Sequence, residues 1–307
     1  MKNNKNIHLK EVIFNEDLLY KKDIERLYYD LNVNNNSDLR IKLTKSDINE
    51  ETKLIVKKLY RQLKAYSEIK KDSGKIAYFS TEFGINDLLP NYAGGLGILA
   101  GDMLKTASEM GKNIYGVGLF YDHGYFRQKI SKDATQLAFY DEVDKTLIPA
   151  EIVKKNGERL VCSIDAGDDK VYFQTLKIKI GSNDLFLLDT NIEENHEKKY
   201  RKITDNLYVG LRGQRLLQEI LLGIGGIRML DETGLFPDVL HINEGHASLA
   251  FFERIKIMMK KYGINYEKAY ELNKKTSVFT THTPVVHGNE EFEPKHFNNY
   301  LQDYFAE

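Results

Sequence analysis

Four short segments of this 307-residue chain carry groups suited to chemistry. In Ser80-Thr81-Glu82-Phe83-Gly84, Glu82 follows an apolar run. A carboxylate at the C-terminal end of a strand points into the crevice of a doubly wound sheet, or it caps a loop N–H. In Asn91–Gly101 (NYAGGLGILAG), Gly94 and Gly95 precede a helical pattern. Paired glycines permit positive φ and let a ligand come close, and a helix N-terminus offers free N–H groups to a phosphate or a sugar hydroxyl. The spacing is neither GxGxxG nor a P-loop, so on spacing alone a tight packed turn is the better reading. Leu96 then reads as the first core position of the helix, and Asp102 as an early acid complementing the dipole. In VLHINEGH, His241, Asn243, Glu244 and His246 cluster at and just past a strand end. His241 alternates to one face of the strand, only one carboxylate is near, and no HExxH occurs, so a metal site is disfavoured. His246 reads equally as a satisfied histidine at a helix start. In VFTTHTPV, His282 follows a strand. An imidazole can move protons, although a lone histidine at a strand end is mostly structural.

The elements that must position these groups alternate. Helical stripes cover Glu51–Tyr66, Leu96–Gly111, Arg212–Glu232, Gly245–Tyr262, Tyr266–Lys274 and Pro294–Phe305. Strands are expected at Ile76–Ser80, Ile114–Tyr121, Arg159–Ile164, Val171–Ile180, Leu185–Leu188, Asp238–Ile242 and Val278–Thr281, with a turn at His123–Gly124. Repeated strand–helix–strand order predicts an α/β fold, doubly wound with right-handed crossovers. Residues 125–190 interrupt the alternation and read as an antiparallel insertion. Residues 1–75 are a charged, helical N-terminal region, leaving 76–307 as the sheet-bearing lobe.

Hydrophobic residues make up 42% of the chain, enough for a core. Lys+Arg (44) nearly cancels Asp+Glu (45), which gives no electrostatic reason to expect nucleic acid or an anionic membrane as partner. Any anion site must therefore be local. Cys162 is the only cysteine, so no intrachain disulfide or cysteine zinc site can form, and it reads as a buried, inert thiol. The N-terminus lacks an apolar signal segment and no run reaches the length of a membrane span, which together point to a cytoplasmic protein.

Residues 77–111 closely resemble the corresponding block of bacterial and archaeal short-type α-glucan phosphorylases. GVGLFYDHGYFRQ (116–128), ITDNLY with RLLQEILLGIGG (203–208, 215–226), PDVLHINEGHASLAFFERI (237–255) and VFTTHTPV (278–285) agree in the same order. The resemblance implies the N-terminal Rossmann-like lobe of a two-lobed, GT-B type glycosyltransferase. It implies reversible, retaining phosphorolysis of α-1,4-glucan to α-glucose-1-phosphate. The implied cofactor is pyridoxal phosphate, held as a Schiff base on a lysine of a C-terminal lobe to which nothing in this sequence corresponds. It places Gly94 and Gly95 with their backbone toward phosphate and glucose, Leu96 beside the glucose ring, and Glu82 as an orienting group near the turn. Asn243, Glu244 and His246 become the cleft wall, and His282 lies at the anomeric centre, where oxocarbenium-like charge favours a carbonyl or neutral imidazole.

The chain departs from the family pattern in two places. YGGDxExR is replaced by Tyr208-Val209-Gly210-Leu211-Arg212-Gly213-Gln214-Arg215, and the P-A-G-H-D-x-F continuation by Val286-His287-Gly288-Asn289-Glu290-Glu291-Phe292. The expected partners are α-1,4-glucan, phosphate or glucose-1-phosphate, and a complementary C-terminal lobe, with a homo-oligomer left open and the chain inactive alone. Two other readings stay open: a non-catalytic glucan-binding or interaction protein, and a glycogen synthase-like lobe.

Overall fold

The computed structural model describes residues 7–19, 21–31, 48–208, 210–284 and 291–306. Among the described residues, helices come first: α1 (Ile7–Phe14), α2 (Lys21–Leu31) and α3 (Glu50–Ser67). The amphipathic pattern of α3 puts Ile55, Val56, Leu59 and Leu63 into the core, and the Asn49 side chain caps it by accepting from Thr52 N–H. Then follow β1 (Ile76–Phe79), α4 (Gly95–Glu109), β2 (Ile114–Leu119), β3 (Arg127–Ile130), β4 (Gln136–Phe139), β5 (Ala150–Ile152), β6 (Lys154–Lys155), β7 (Glu158–Arg159), β8 (Cys162–Ala166), β9 (Asp169–Ile180) and β10 (Asn183–Asp189). The remainder is α5 (Lys198–Arg201), α6 (Arg212–Ile220), a π-helical segment (Leu221–Gly225), α7 (Gly226–Glu232), β11 (Val239–Asn243), α8 (Leu249–Tyr262), α9 (Tyr266–Lys275), β12 (Ser277–Thr280) and α10 (Pro294–Ala306).

The main sheet runs β12-β11-β1-β2-β10-β9-β5, with β8 also on β9. Every pair from β12 to β10 is parallel. The strands expected to form an antiparallel insertion do pair antiparallel on β9, but β10 lies parallel to β2 and so joins this part to the central sheet. Their two-residue periodicity cannot reveal which neighbour a strand chooses.

Both faces of the parallel part are covered at β1, β2 and β10, as a buried parallel sheet requires. Tyr78, Leu185 and Leu187 face α1–α4, while Phe79, Val117, Phe186 and Leu188 face the helices after α5. Strand β9 divides its duty. Val171 and Phe173 serve the second core, and Leu176, Ile178 and Ile180 the first. The helix expected over 212–232 is continuous, but it widens to a π turn at 221–225. Glycines line that segment because its neighbours press in: a Cβ on Gly226 would lie 2.5 Å from Phe79 Cε1, and one on Gly223 2.7 Å from Ala250 N. Helix α4 stops as its sequence indicates, at Gly111 with φ +66°. Cys162 is half-buried rather than fully buried, and burial pushes its thiol up to about 11, leaving it a poor nucleophile.

Arg254 on α8 staples the strand starts. It is 1% exposed and donates to the carbonyls of Pro237, Asp238 and Thr276, to Asn273 Oδ1 and to Ser277 Oγ, at 2.8–3.3 Å. Burial pulls its pKa down to about 10, so it stays charged at neutral pH with carbonyls compensating it. Arg254→Met leaves these acceptors unpaired and is expected to cost about 3 kcal/mol. A urea midpoint that falls at unchanged m checks this.

Candidate functional site

Three strand ends and one helix start build the site, all on the edge of the sheet where β1, β11 and β12 end. The loop after β1 carries Glu82 into the interior, 1% exposed. Its Oε2 accepts from Ala93 N–H at 2.7 Å and Gly94 N–H at 3.4 Å, and its Oε1 accepts from the Tyr208 hydroxyl. Glu82 therefore orders the glycine turn directly, just ahead of α4. Gly94 is extended (φ −159°) and Gly95 opens the helix, so neither takes the positive φ that a glycine pair permits. A Cβ on either would meet nothing within 4 Å, and both are exposed. Their use is openness to a ligand, not backbone strain. Gly97 and Ile98 N–H bond back to Gly94 O, which leaves the first-turn N–H groups of Gly95 and Leu96 as the helix's outward donors. Leu96 is half-buried, and Asp102 is exposed on α4.

The glycines that pack tightly lie further along α4. A Cβ on Gly97 would stand 2.4 Å from Tyr92 Cβ, and one on Gly101 2.1 Å from Gly84 O. These two positions, one helical turn apart, let the Glu82 loop lie against the helix, with Gly84 N–H bonding to Gly97 O at 2.8 Å.

On the other side, Asn243 ends β11 fully buried. Its Oδ1 meets His282 Nε2 at 2.8 Å and its Nδ2 donates to Ser80 Oγ at 3.3 Å. This pairing places the His282 proton on Nε2 and leaves Nδ1 outside that bond. His282 is exposed, just beyond β12. Glu244 sits at φ +64°, a costly conformation for a non-glycine residue, and gathers the backbone beyond β12. Its Oε1 accepts from His282 N–H (2.5 Å), Thr283 N–H (3.1 Å) and Thr283 Oγ1 (3.2 Å), and its Oε2 from Thr281 Oγ1 (3.3 Å). Burial pushes the Glu244 carboxyl upward, but the hydrogen bonds from His282, Thr283 and Thr281 outweigh it and hold the pKa below the usual 4.5. His246 lies half-buried in the 3₁₀ turn Gly245–Ala247. His241 faces away toward Tyr78 and pairs with Thr280 Oγ1 at 2.7 Å, with burial lowering its pKa, as its alternation along β11 predicts. Among the described residues no group of three or more His, Cys, Asp or Glu could hold a metal.

Ser80 joins the two halves: its Oγ takes the Asn243 amide and lies 3.4 Å from Glu82 N. Glu82, Gly94, Asn243, Glu244 and His282 thus belong to one hydrogen-bonded edge. Sequence reasoning missed Tyr208, Arg215 and Tyr121. Tyr208 adopts φ +58°, the Arg215 guanidinium lies 4.9 Å from its ring centroid, and the Tyr121 hydroxyl donates to Thr81 O at 3.1 Å. Burial and the Glu82 hydrogen bond raise the Tyr208 pKa, so its hydroxyl stays a donor to Glu82. The signal lay in the altered 208–215 segment. There Leu211, where the family pattern has an acid, stands 71% exposed as an uncapped start to α6. Val209 and 286–290 lie outside the described residues.

Two outcomes follow from this geometry. Gly101→Ala drives a Cβ into backbone and is expected to cost about 3 kcal/mol or more, whereas Gly95→Ala costs under about 1 kcal/mol; paired urea titrations compare them. A carboxylate with a lowered folded pKa contributes stability above its unfolded pKa of about 4.5 and loses it as pH falls through the folded value. Glu244→Gln should therefore flatten the acid limb of the stability profile below about pH 4.5, read by thermal melts from pH 7 to 3; an unchanged limb contradicts the assignment.

No family model matches the chain. It is 41% identical over 218 residues to the maltodextrin phosphorylase of Thermococcus litoralis, covering 71% of this chain and 26% of that one. It is 41% identical over 235 residues to the glycogen phosphorylase of Mycobacterium tuberculosis (74% and 27%) and over 211 residues to that of Aquifex aeolicus (68% and 30%). The matched part is thus between a quarter and a third of these relatives' length. Over that part, this chain is a homologue of the bacterial and archaeal glycogen and maltodextrin phosphorylases.

Proposed function

We propose that this chain supplies the glucose-binding, N-terminal lobe of a GT-B type α-glucan phosphorylase, which carries out reversible, retaining phosphorolysis of α-1,4-glucan to α-glucose-1-phosphate. The observation that carries the reading is the single hydrogen-bonded edge that holds Glu82 and the open glycine turn on one side and Asn243, Glu244 and His282 on the other. The N–H groups of Gly95 and Leu96, at a positive helix end, suit a phosphate or a sugar hydroxyl without any lysine or arginine. His282, oriented by Asn243, offers an imidazole beside the transferred glucose, where a neutral dipole stabilises oxocarbenium-like charge. Leu96 would line the ring, with His246 and Glu244 in the wall.

Pyridoxal phosphate is the cofactor this reading implies. The side chains that build the edge include no lysine, so they offer no amine for a Schiff base. They do not fit the attachment of that group. The chemistry that uses the cofactor belongs to a second lobe, and the chain is expected to be inactive alone.

A non-catalytic glucan-binding reading draws on one feature. The Tyr208 hydroxyl already occupies Glu82 Oε1, and Leu211 and Gly213 stand where the family pattern has acids. One assay separates the two. The chain is mixed with maltodextrin, phosphate and pyridoxal phosphate, with and without a polypeptide comprising the remainder of the Thermococcus litoralis enzyme, and glucose-1-phosphate is measured. Product only in the mixture is expected. Product from the chain alone overturns the need for a second lobe, and none from a folded mixture favours the binding protein.

A further inference from the structure

A cleft of about 420 Å³ opens beyond the C-terminal ends of β2 and β10, and its lining includes none of the residues of the Glu82–His282 edge. Its floor is preorganised. Lys145 Nζ lies 3.0 Å from both Asp122 Oδ1 and Asp189 Oδ2, and Gln174 Nε2 donates to Asp189 Oδ2 at 3.0 Å. Asn191 is fixed between the two acids: its N–H bonds to Asp189 Oδ1 and its side-chain amide to Asp122 Oδ2, each at 2.9 Å. Asn191 Oδ1 in turn accepts from Arg201 Nε at 3.2 Å. The guanidinium is thus aimed by Nε, while its two terminal nitrogens have no partner among the described residues. That free fork matches two oxygens of a phosphate. The Lys198 side chain stands in the same lining, exposed and without an ion pair among the described residues. Most of the lining acids are already matched. Asp122 has Lys145, and Asp205 has Lys202 at 3.4 Å and His123 Nδ1 at 2.7 Å. Glu142 is exposed and has no ion pair among the described residues, and His123 Nε2 lies outside the Asp205 bond.

We propose that this cleft binds a small sugar phosphate, with Arg201 and Lys198 on the phosphate and Glu142 and His123 on the hydroxyls. The inference stands apart from the phosphorylase reading. In a chain whose charges nearly cancel, two cations without counter-ions on one wall make a local anion site. Glu142 opposes a bare oxyanion but accepts from hydroxyls, which favours a sugar ester over inorganic phosphate. The lining holds no Phe, Tyr or Trp to stack on a base, which disfavours a nucleotide. The cleft is within the usual range for a small-molecule site. An occupant would also rest on the chain segment that reaches Glu82. His123 N–H bonds to Asp205 O at 2.8 Å and Leu207 N–H to Gly124 O at 3.0 Å, and Tyr208 comes next.

The 307-residue chain is titrated by calorimetry with ribose 5-phosphate, with ribose and with inorganic phosphate. Ribose 5-phosphate should bind at least about tenfold more tightly than inorganic phosphate, and ribose should not bind over the same range. Arg201→Gln and Lys198→Gln each remove one charge-assisted contact and should weaken ribose 5-phosphate at least about tenfold. Circular dichroism checks both folds, and the exposed Lys198 position carries the test if Arg201→Gln disturbs Asn191. Lys132→Gln, at an exposed position between β3 and β4, should change nothing. Unchanged affinity in Lys198→Gln and in a folded Arg201→Gln places the ligand elsewhere, the start of α4 included, and overturns the proposal. So does an equal loss in Lys132→Gln, which reports general charge attraction. Absence of binding by the parent chain, or inorganic phosphate binding as tightly as ribose 5-phosphate, overturns it as well.

Discussion

A buried carboxylate organises this end of the molecule. Glu82 is removed from water almost completely, and an ionised carboxylate there is tolerated only when donors surround it. Ala93 N–H, Gly94 N–H and the Tyr208 hydroxyl supply them. Those three donors come from two chain segments, so satisfying one charge orders the glycine turn and the 208 segment together. The arrangement is possible only because Gly97 and Gly101 remove the side chains that would hold α4 away from the Glu82 loop. Burial sets the demand, and two missing Cβ atoms let the backbone meet it.

The opposite wall solves a similar problem with a different tool. Glu244 is held in a left-handed conformation, yet it collects four hydrogen bonds from Thr281, His282 and Thr283. The conformational cost of about 1–3 kcal/mol is the kind that persists only where the surroundings over-determine it. Here they do, because Glu244 N–H also bonds to Thr280 O and Asn243 grips His282. Backbone strain and side-chain hydrogen bonds act on the same three residues, and His282 is the group whose position they set.

Much of this was legible in the sequence. Strand ends at Phe79, Asn243 and Thr280 fall within a residue of where alternation put them. Glu82, Asn243, Glu244 and His282 stand out because they follow apolar runs whose ends a parallel sheet aligns on one edge. The rest depends on tertiary neighbours that no local pattern encodes. The glycine pair reads as a positive-φ turn, yet the glycines that packing demands are Gly97 and Gly101. The run 212–232 reads as one helix and is one, but the pattern gives no sign of the π turn at 221–225. Tyr208 was visible only as part of a departure, since its importance lies in reaching a carboxylate 126 residues away.

That departure bears on how a nearly neutral lobe can handle an anion. Net charge gives no attraction, so on the proposed reading the open N–H groups at the start of α4 would have to act locally. Glu82 sits behind them, accepting from Ala93 and Gly94 N–H. The Tyr208 hydroxyl donates to that carboxylate, and the Arg215 guanidinium lies against the Tyr208 ring. The family pattern puts two acids between these residues, and this chain has Leu211 and Gly213 in their place. On the reading proposed above, removing two negative charges beside the Tyr208–Arg215 pair would make the glycine turn more receptive to an anion than it would be with those acids present. The altered segment changes the balance of charge around Glu82 while leaving the Glu82–Tyr208 contact in place.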